Sequence, residues 1–528
     1  MTILLSTNVL VLVGLVVAYV LHRFWRAKQN GLPLPPGPRG IPILGNLNDL
    51  PKPGILECHH WLKHKDLYGP ISSVTVMGQT FVIVNDASIA LELLRDRATV
   101  YSGRPTMIFS GEMIGWKDTL ALNGYTETFK LQRKNIAKVA SSNVSLAVFD
   151  RVQEEESAHF LLNVLDSPGD LFDHIRMEAG AVILRITYGY TPESHGRDPL
   201  VDMARDTMVD FADATVPGKY VVDVLSFLRY LPDWFPGTDF KAKARRMKVQ
   251  LNKTVEQPFQ FVKQQMREKK QKPSFLSQAI ENIGSDAKME KVHKMSALSL
   301  YLGGADTTVS SLMTFFLAMT VFPEVQRKAQ EELDRVIGGD RLPVSSDKGS
   351  LPYIEAVLKE THRWHPVAPM ALPHASDKED VIRGYRIPKG AVLLPNTWWF
   401  THDPSIYPDP MVFRPERFIT TATHTAEPDP RTYTFGFGRR VCPGRYVADN
   451  ALFITIAQSL AVFKIEKLVE NGKIVEPKIE FEPGVVSHPV PYRTSITPRS
   501  EKHGDLIRRA EVDFPWGESD AEALRTIM

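Results

Sequence analysis

The feature that most constrains this 528-residue chain is a short loop containing one cysteine. Residues 435–444 read Phe-Gly-Phe-Gly-Arg-Arg-Val-Cys-Pro-Gly. The only other cysteine is Cys58, which argues against a disulfide scaffold. No second Cys/His pair with zinc spacing accompanies either thiol. No strand–loop–helix context makes the glycines a nucleotide-binding loop. Cys442 therefore requires another explanation.

The loop fits the pattern F-x-x-G-x-R-x-C-x-G at every fixed position. This pattern is the signature of the cytochrome P-450 family, which the chain therefore resembles. The resemblance implies haem b (iron protoporphyrin IX) as the cofactor and Cys442 as the axial ligand to its iron. A thiolate in this position favours O–O bond cleavage. A glycine-rich loop that holds a structural thiol is the alternative.

Other residues of the loop acquire expected roles from the resemblance. Gly438 and Gly444 would let the backbone pass close to the porphyrin, where a Cβ would collide. Arg440 would pair with a haem propionate. Phe435 would pack beside the sulfur side of the ring.

A second segment, residues 129–134 (Phe-Lys-Leu-Gln-Arg-Lys), resembles the family's W-R/K-x-x-R sequence. Arg133 would be a second propionate partner, and Phe129 replaces the usual tryptophan. His374 would supply a further contact to the cofactor. The alternative for Arg133 is a position on a solvated helix face.

The apolar stretch 289–321 predicts one long helix with Gly-Gly-Ala-Asp-Thr-Thr near its middle, at residues 303–308. This sequence resembles the family's oxygen-activation motif. Thr307 would then supply a hydrogen bond at the reacting oxygen, and Asp306 would relay protons from solvent as a general acid. A polar cluster at a helix kink is the alternative.

Glu360 and Arg363 fit the family's E-x-x-R pattern, which is unspecific by itself. Glu324 and Arg327 match it equally well, as an i,i+3 surface pair would. What favours Glu360 is its helical run before His365-Pro366 and the downstream Pro-Glu-Arg-Phe sequence. The resemblance implies that Arg417 joins Glu360 and Arg363 in a buried, structural charge network.

The chain begins with an uncharged apolar run over residues 3–21, long enough to cross a bilayer. Basic residues follow the run, and no clean cleavage site does, which favours an uncleaved anchor over a secretory signal. We predict a single transmembrane anchor with its basic flank (1–28), a Pro-rich hinge (29–40), a haem-binding catalytic domain (41–499) and a charged, loosely ordered tail (500–528).

The strand-like segments are few and short, so we predict a mainly α fold with small β-sheets, the cytochrome P-450 fold. Hairpins are expected at residues 71–85 and 381–395, and further strands at 463–495. A formal net charge of +2 gives no reason to expect nucleic acid as a partner.

The resemblance is closest to fungal microsomal natural-product oxidases, and it implies a monooxygenase. Such an enzyme inserts one oxygen atom from O2 into a lipophilic substrate by hydroxylation or epoxidation. Electrons would come from NADPH through a separate cytochrome P-450 reductase, with cytochrome b5 as a further donor. The expected location is the endoplasmic reticulum membrane, with the catalytic domain cytosolic. A haem-thiolate isomerase, dehydratase or peroxygenase, or a non-catalytic membrane haem-binding protein, remains the alternative.

Overall fold

The computed structural model describes Gly14, Tyr19 and residues 31–52, 54–140, 143–281 and 286–527. The predicted membrane anchor therefore lies almost wholly outside the described residues. Within these ranges, no single helix has the length and apolarity to cross a bilayer. Only two consecutive helices taken together, Ala287–Val321 and Pro323–Val336, meet those criteria, and they are bent by 103°.

Helices account for most of the described chain. The α-helices are α1 (Glu57–Tyr68), α2 (Ala87–Leu91), α3 (Ala98–Tyr101), α4 (Glu127–Ala140), α5 (Asn143–Asp166), α6 (Leu171–Tyr188), α7 (Pro199–Ala214), α8 (Asp239–Arg267), α9 (Phe275–Glu281), α10 (Ala287–Val321), α11 (Pro323–Val336), α12 (Pro352–Trp364), α13 (Thr397–His402), α14 (Arg431–Thr434), α15 (Arg445–Val462), α16 (Glu501–Asp513) and α17 (Ala521–Arg525). Short π and 3-10 helical turns join them.

The strands form one four-stranded sheet and three two-stranded ribbons. They are β1 (Ile71–Val76), β2 (Gln79–Val84), β3 (His374–Ala375), β4 (Asp380–Ile382), β5 (Tyr385–Ile387), β6 (Val392–Pro395), β7 (Phe463–Lys467), β8 (Val469–Glu470), β9 (Lys473–Ile474) and β10 (Thr494–Pro498). The larger sheet has the order β1-β2-β6-β3, with β2 and β6 parallel and the other pairs antiparallel. The prediction of a mainly α fold with small sheets is confirmed.

Helix α10 carries two of the predicted functional residues, Asp306 and Thr307. Asp286 begins it by accepting hydrogen bonds from the backbone N–H groups of Lys288 and Met289. Pro323 ends it, because the residue before a proline is disfavoured in the α conformation. The amino-terminal half of α10 packs into one apolar core and its carboxyl-terminal half into a second core. Residues 303–308 lie at the junction between the two.

The predicted hairpin at residues 71–85 is present as β1 and β2, paired in register from Ile71↔Val84 to Val76↔Gln79. The prediction of one hairpin over residues 381–395 is wrong in part. Strands β4 and β5 do pair around Arg383 and Gly384, both at positive φ. The chain then turns at Gly390, also at positive φ, and β6 joins the larger sheet beside β2.

The expectation of a loosely ordered tail at 500–528 is also wrong. Helix α16 buries Leu506, Ile507 and Ala510, and it packs on α5 and α15. Trp516 then stacks on His159 with ring centroids 3.8 Å apart. The tail is polar on average, but Leu506, Ile507 and Ala510 share one helical face, which is sufficient for docking.

Candidate active site at the cysteine loop

A cavity of about 360 Å³ lies where α4, α6, α10 and α15 converge on the cysteine loop. Its wall is mostly apolar, with aliphatic side chains from α6 and α10. Few polar groups interrupt it. Such a wall suits a hydrophobic ligand held by a small number of polar contacts.

The cysteine loop, residues 435–444, is held closed by its own backbone. The N–H of Cys442 donates to the carbonyl oxygen of Phe435 at 2.7 Å, and α15 begins directly after the loop. Burial raises the pKa of the Cys442 thiol, while the backbone N–H of Gly444 and the charges of Arg133 and Arg445 oppose that rise. Cys442 borders the cavity, and it is surrounded by the cationic side chains of Arg133 and Arg445 and by the N–H of Gly444.

The glycines of the loop have different surroundings. Gly444 borders the cavity, and no atom lies within 4 Å of the place a Cβ would occupy there. Gly438 instead faces a neighbouring turn, with φ +50° and a hypothetical Cβ only 2.3 Å from the carbonyl oxygen of Leu94. Gly438 is not among the described residues that line the cavity, and packing against the Leu94 turn is sufficient to require a glycine there. Gly436, which the pattern leaves unspecified, borders the cavity.

Arg440 directs a buried guanidinium towards the cavity. Its Nε donates to the carbonyl oxygen of Ser102 at 2.8 Å, whereas its two terminal nitrogens are buried without a partner among the described residues. Its guanidinium carbon lies 3.9 Å from the ring centroid of Phe129. Burial and the nearby Arg133 lower the pKa of Arg440 to about 10, so it remains charged at neutral pH. An anionic ligand would satisfy the two free nitrogens.

The other two predicted cofactor contacts also border the cavity. Arg133 donates from one terminal nitrogen to the carbonyl oxygen of Val441 at 2.8 Å. Nδ1 of His374 lies 2.8 Å from the carbonyl oxygen of Tyr101. Burial lowers the pKa of His374 to about 3, so this imidazole is neutral and offers a hydrogen bond, not a charge.

Arg104 is a cavity residue that no motif identified. Its guanidinium donates to the carbonyl oxygens of Ala121, Leu372 and Pro373. Burial and the charge of Arg440 lower its pKa to about 9. The sequence indicates Arg104 only weakly, as one charged residue in an otherwise uncharged segment. Together with Arg133 and Arg440, it makes this part of the cavity strongly cationic.

Helix α10 places Thr307 and Asp306 on different sides. Thr307 borders the cavity, and its hydroxyl donates to the carbonyl oxygen of Gly303 at 2.6 Å. Asp306 is not among the described residues of the cavity wall, and its Oδ1 lies 3.2 Å from Nε2 of His488. The sequence did not indicate His488. The arrangement gives a hydroxyl inside the cavity and a carboxylate outside it, on consecutive residues of one helix.

Glu360, Arg363 and Arg417 form a fully buried cluster beneath the site. Oε1 and Oε2 of Glu360 accept from Arg363 at 2.8 and 2.7 Å, and Oε1 also accepts from Nε of Arg417 at 3.2 Å. All three side chains are 0% exposed. By contrast, Glu324 and Arg327 form an exposed pair, with side chains 74% and 54% accessible. The cluster fixes α12 to the segment before the cysteine loop.

Phe435 also borders the cavity, and it meets His362 edge-on with ring centroids 5.1 Å apart. The structure thus brings seven of the predicted residues to one cavity wall. These residues are Arg133, Thr307, His374, Phe435, Arg440, Cys442 and Gly444. Asp306, Gly438 and the Glu360 cluster are not among the described residues that line it.

Comparison with known proteins gives a consistent result. The sequence model described as "Cytochrome P450" matches residues 35–496. The chain is 46% identical to "Cytochrome P450 monooxygenase claR" of Ampulloclitocybe clavipes, with 97% of this chain and 95% of that protein covered. It is 44% identical to "Cytochrome P450 monooxygenase CLM2" of Gibberella zeae, covering 98% and 99%. It is 39% identical to "O-methylsterigmatocystin oxidoreductase" of Aspergillus flavus, covering 97% and 96%.

The match to the family model spans residues 35–496, so one family accounts for this whole region. The family implies a haem cofactor, in agreement with the cationic, thiol-bearing cavity. The chain therefore belongs to the cytochrome P450 family and is an oxidoreductase of its monooxygenase class.

Proposed function

We propose that this protein is a membrane-anchored haem-thiolate monooxygenase of secondary metabolism. It inserts one oxygen atom from O2 into a lipophilic substrate, by hydroxylation or epoxidation, and the second atom leaves as water. The observation that best supports the proposal is that Cys442 and Thr307 border the same apolar cavity. An isomerase or a simple haem-binding protein would need the thiol but not the hydroxyl and its neighbouring acid.

The residues of the cavity fit haem b. Cys442 would ligate the iron, and Arg104, Arg133 and Arg440 would neutralise the two propionates. The two unpartnered nitrogens of Arg440 and the open space at Gly444 support this assignment. Thiolate-ligated haem supplies the reductive cleavage of the O–O bond when it is bound.

Proton supply is the task we assign to α10. The Thr307 hydroxyl borders the cavity and would orient a proton donor there. Asp306, outside the wall and 23% exposed, would take protons from solvent and pass them inward as a general acid. His488 would hold its carboxylate in place by the contact between the two side chains.

The substrate is inferred to be apolar from the residues beyond the cysteine loop. Trp116, Leu120, Phe211 and Val367 line this part of the cavity, and Trp116 packs on Phe211 with centroids 4.5 Å apart. Aromatic and aliphatic groups of this kind favour a hydrophobic ligand. The monooxygenases similar to this chain are fungal, and we infer a secondary metabolite as the substrate.

Electrons are proposed to come from NADPH through a separate reductase, with cytochrome b5 as a further donor. The docking side would be the exposed surface of the cysteine loop. There Arg439 and Lys130 lie over the ring of Tyr125, at 5.0 and 5.3 Å from its centroid. Arg440 does not contribute to this surface, because it is buried and borders the cavity. Complementary charge would guide an acidic partner to these residues.

Membrane attachment is proposed from the apolar run at residues 3–21, with the endoplasmic reticulum as the location and the catalytic domain cytosolic. A surface feature supports it. Phe227, Tyr230 and Trp234 are 59%, 74% and 81% exposed, an unusual concentration of large apolar groups. Leu50, which follows the hinge, lies beside Gly218, in the segment that leads to these aromatic residues. The exposed aromatic residues and the segment after the hinge would therefore face the same bilayer.

The test is to express the full chain and record the spectrum of the reduced carbon monoxide complex for the wild type, Cys442→Ala and Cys58→Ala. We expect the thiolate-type Soret band in the wild type and in Cys58→Ala, and its loss in Cys442→Ala. An unchanged band in Cys442→Ala would overturn the ligand assignment.

Lipophilic compounds that shift the haem spectrum would then be incubated with reductase, NADPH and O2. Oxygenated product that depends on all three supports the monooxygenase. Conversion without NADPH would instead indicate an isomerase or dehydratase, and conversion driven only by peroxide would indicate a peroxygenase. Release of the protein from membranes by high salt alone would contradict the anchor.

A further inference from the structure

Glu178 is a buried carboxyl that the proposed mechanism does not use. It lies on α6 and is 3% exposed. Its Oε1 accepts a hydrogen bond from the hydroxyl of Thr455 at 3.0 Å, whereas its Oε2 is buried without a partner among the described residues. Burial raises the pKa of Glu178 to about 8, with a contribution from Glu156 and opposition from Thr455. The carboxyl is therefore protonated at neutral pH.

A second, smaller cavity of about 110 Å³ lies behind α6, beneath the carboxyl-terminal segment. Polar groups make up a larger share of its wall than of the wall of the main cavity. The exposed residues Pro515 and Gly517 line its outer end, and the buried Glu178 lines its inner end. Of the described residues that line these two cavities, Glu178 alone borders both. It is the residue that the two walls share.

The charged groups around the second cavity are already paired with one another. Arg185 donates to both Glu155 and Glu156. His159 lies 3.6 Å from Glu156 and stacks on Trp516. These contacts hold the walls of the cavity in place, and none of them involves Glu178.

A purely structural carboxyl in this chain has a different environment. Glu332 is 6% exposed, and its two oxygens accept hydrogen bonds from the backbone N–H groups of Tyr353 and Ile354. Both lone-pair-bearing oxygens are used, as expected of a buried group that stabilises the fold. Glu178 leaves one oxygen without a partner among the described residues, and the residue borders two cavities.

We propose that Glu178 is a proton-exchange residue that links solvent, through the second cavity, to the haem cavity. The proposal rests on the monooxygenase function, because that reaction takes up electrons and protons in equal number. The O–H bond of Glu178 breaks as its proton passes to water in the main cavity. The carboxylate then takes a proton from water in the second cavity, so the residue is regenerated without net change.

This route is separate from that of Asp306. Asp306 pairs with His488, and neither residue is among the described residues that line the second cavity. Loss of one route would therefore slow proton delivery without abolishing it. We expect Glu178→Gln to lower the rate of NADPH oxidation several-fold when reductase and O2 are present, and to change its solvent isotope effect.

The primary test is infrared spectroscopy of the haem-loaded full chain, without turnover. The band of a protonated carboxyl at neutral pH should disappear in Glu178→Gln and persist in Glu155→Gln. On transfer to D2O, this band should shift within seconds, because the carboxyl exchanges through the second cavity. Absence of the band, or exchange only over hours, would overturn the proposal.

The route itself is tested by Asn163→Leu, which places an apolar, larger side chain in the wall of the second cavity. We expect slower deuterium exchange of the Glu178 band, and an unchanged exchange rate would overturn the route. Should Glu178→Gln not fold, Thr455→Val serves instead. Removal of that hydrogen bond should move the titration of the band to higher pH, and an unmoved titration would count against Glu178 as its source.

The infrared experiment tests the exchange site and the monooxygenase assay tests the proposed function, so the failure of one can be told from the failure of the other. A Glu178 band that exchanges rapidly, in a protein that oxygenates no substrate, would refute the proposed function and leave the exchange site. An active monooxygenase whose Glu178 band is absent would refute only the exchange site.

Discussion

Asp306 and His488 come from distant parts of the chain, yet Oδ1 of the first lies 3.2 Å from Nε2 of the second. Asp306 is on α10, and His488 is in the irregular segment before β10. Each side chain is 23% exposed. The pair therefore connects solvent to the helix that carries Thr307 into the cavity.

Replacement of Asp306 by Asn should lower the turnover of a lipophilic substrate by ~100-fold, the lower end of what a general acid contributes. The amide keeps the shape of the side chain but cannot pass on a proton. His488→Gln, which retains an N–H donor towards Asp306, is the matched variant and should stay within a few-fold of the wild type. Product formed per unit time gives the comparison. Wild-type turnover in Asp306→Asn would contradict the general-acid role.

Thr307→Val should increase the hydrogen peroxide released per NADPH consumed, because the cavity loses the hydroxyl that orients a proton donor. Thr314→Val is the control. Thr314 makes the same type of hydrogen bond, to the carbonyl oxygen of Ser310 at 2.8 Å, on the same helix but away from the cavity. Its variant should release no more peroxide than the wild type. Equal peroxide yields from both variants would show that the Thr307 hydroxyl has no special role.

The cysteine loop and the long helix could be predicted because both depend on local sequence. A loop that must present a thiol restricts five positions within ten residues, and an apolar helix leaves a continuous periodic pattern. The local pattern does not reveal one constraint on Gly438, which is that a Cβ there would collide with the carbonyl oxygen of Leu94 in another segment. A contact between distant segments leaves no mark in the spacing of either one.

The residues that the sequence did not reveal are those defined by long-range contacts. Arg104, Glu178 and His488 belong to no motif, and only the fold brings them to the cavity or to Asp306. The carboxyl-terminal tail was misjudged for a related reason. Its mean polarity concealed the four buried residues of α16, because a short helix needs only one narrow apolar face to dock.

Arg440→Gln should release haem ~10- to 100-fold faster than the wild type, which corresponds to the loss of a charged hydrogen bond in a buried site. The glutamine cannot satisfy an anionic propionate with a charge. Arg439→Gln is the matched control, since Arg439 is the neighbouring residue and lies exposed over Tyr125. Transfer of haem to an excess of apomyoglobin would be followed by absorbance. Equal release rates in the two variants would remove Arg440 from the cofactor site.

Glu178→Gln should change how stability depends on pH. The pKa of Glu178 is raised from its usual 4.5 to about 8 in the folded protein, so the folded state holds a proton that the unfolded state releases. The resulting stabilisation is fully present below about pH 4.5 and is lost as pH rises to about 8, by at most ~1.4 kcal/mol per pH unit. Relative to the wild type, the midpoint of thermal unfolding of Glu178→Gln should therefore rise between those limits. A difference that does not vary with pH would mean that Glu178 is ionised when folded.

Two ion pairs share the E-x-x-R pattern, one buried and one exposed. Comparing them tests how burial of the pair changes its contribution to the unfolding free energy. Glu360→Gln leaves Arg363 and Arg417 buried without their carboxylate, which should cost ~3–5 kcal/mol of unfolding free energy. Glu324→Gln removes an exposed pair with Arg327 and should cost ~0–1 kcal/mol. Thermal unfolding of the two haem-loaded variants, followed by circular dichroism and by the haem absorbance, measures both. Because the Glu360 cluster fixes the segment before the cysteine loop, Glu360→Gln should also lose haem at a lower temperature. Similar unfolding midpoints for the two variants would show that the buried cluster does not stabilise the haem side of the fold.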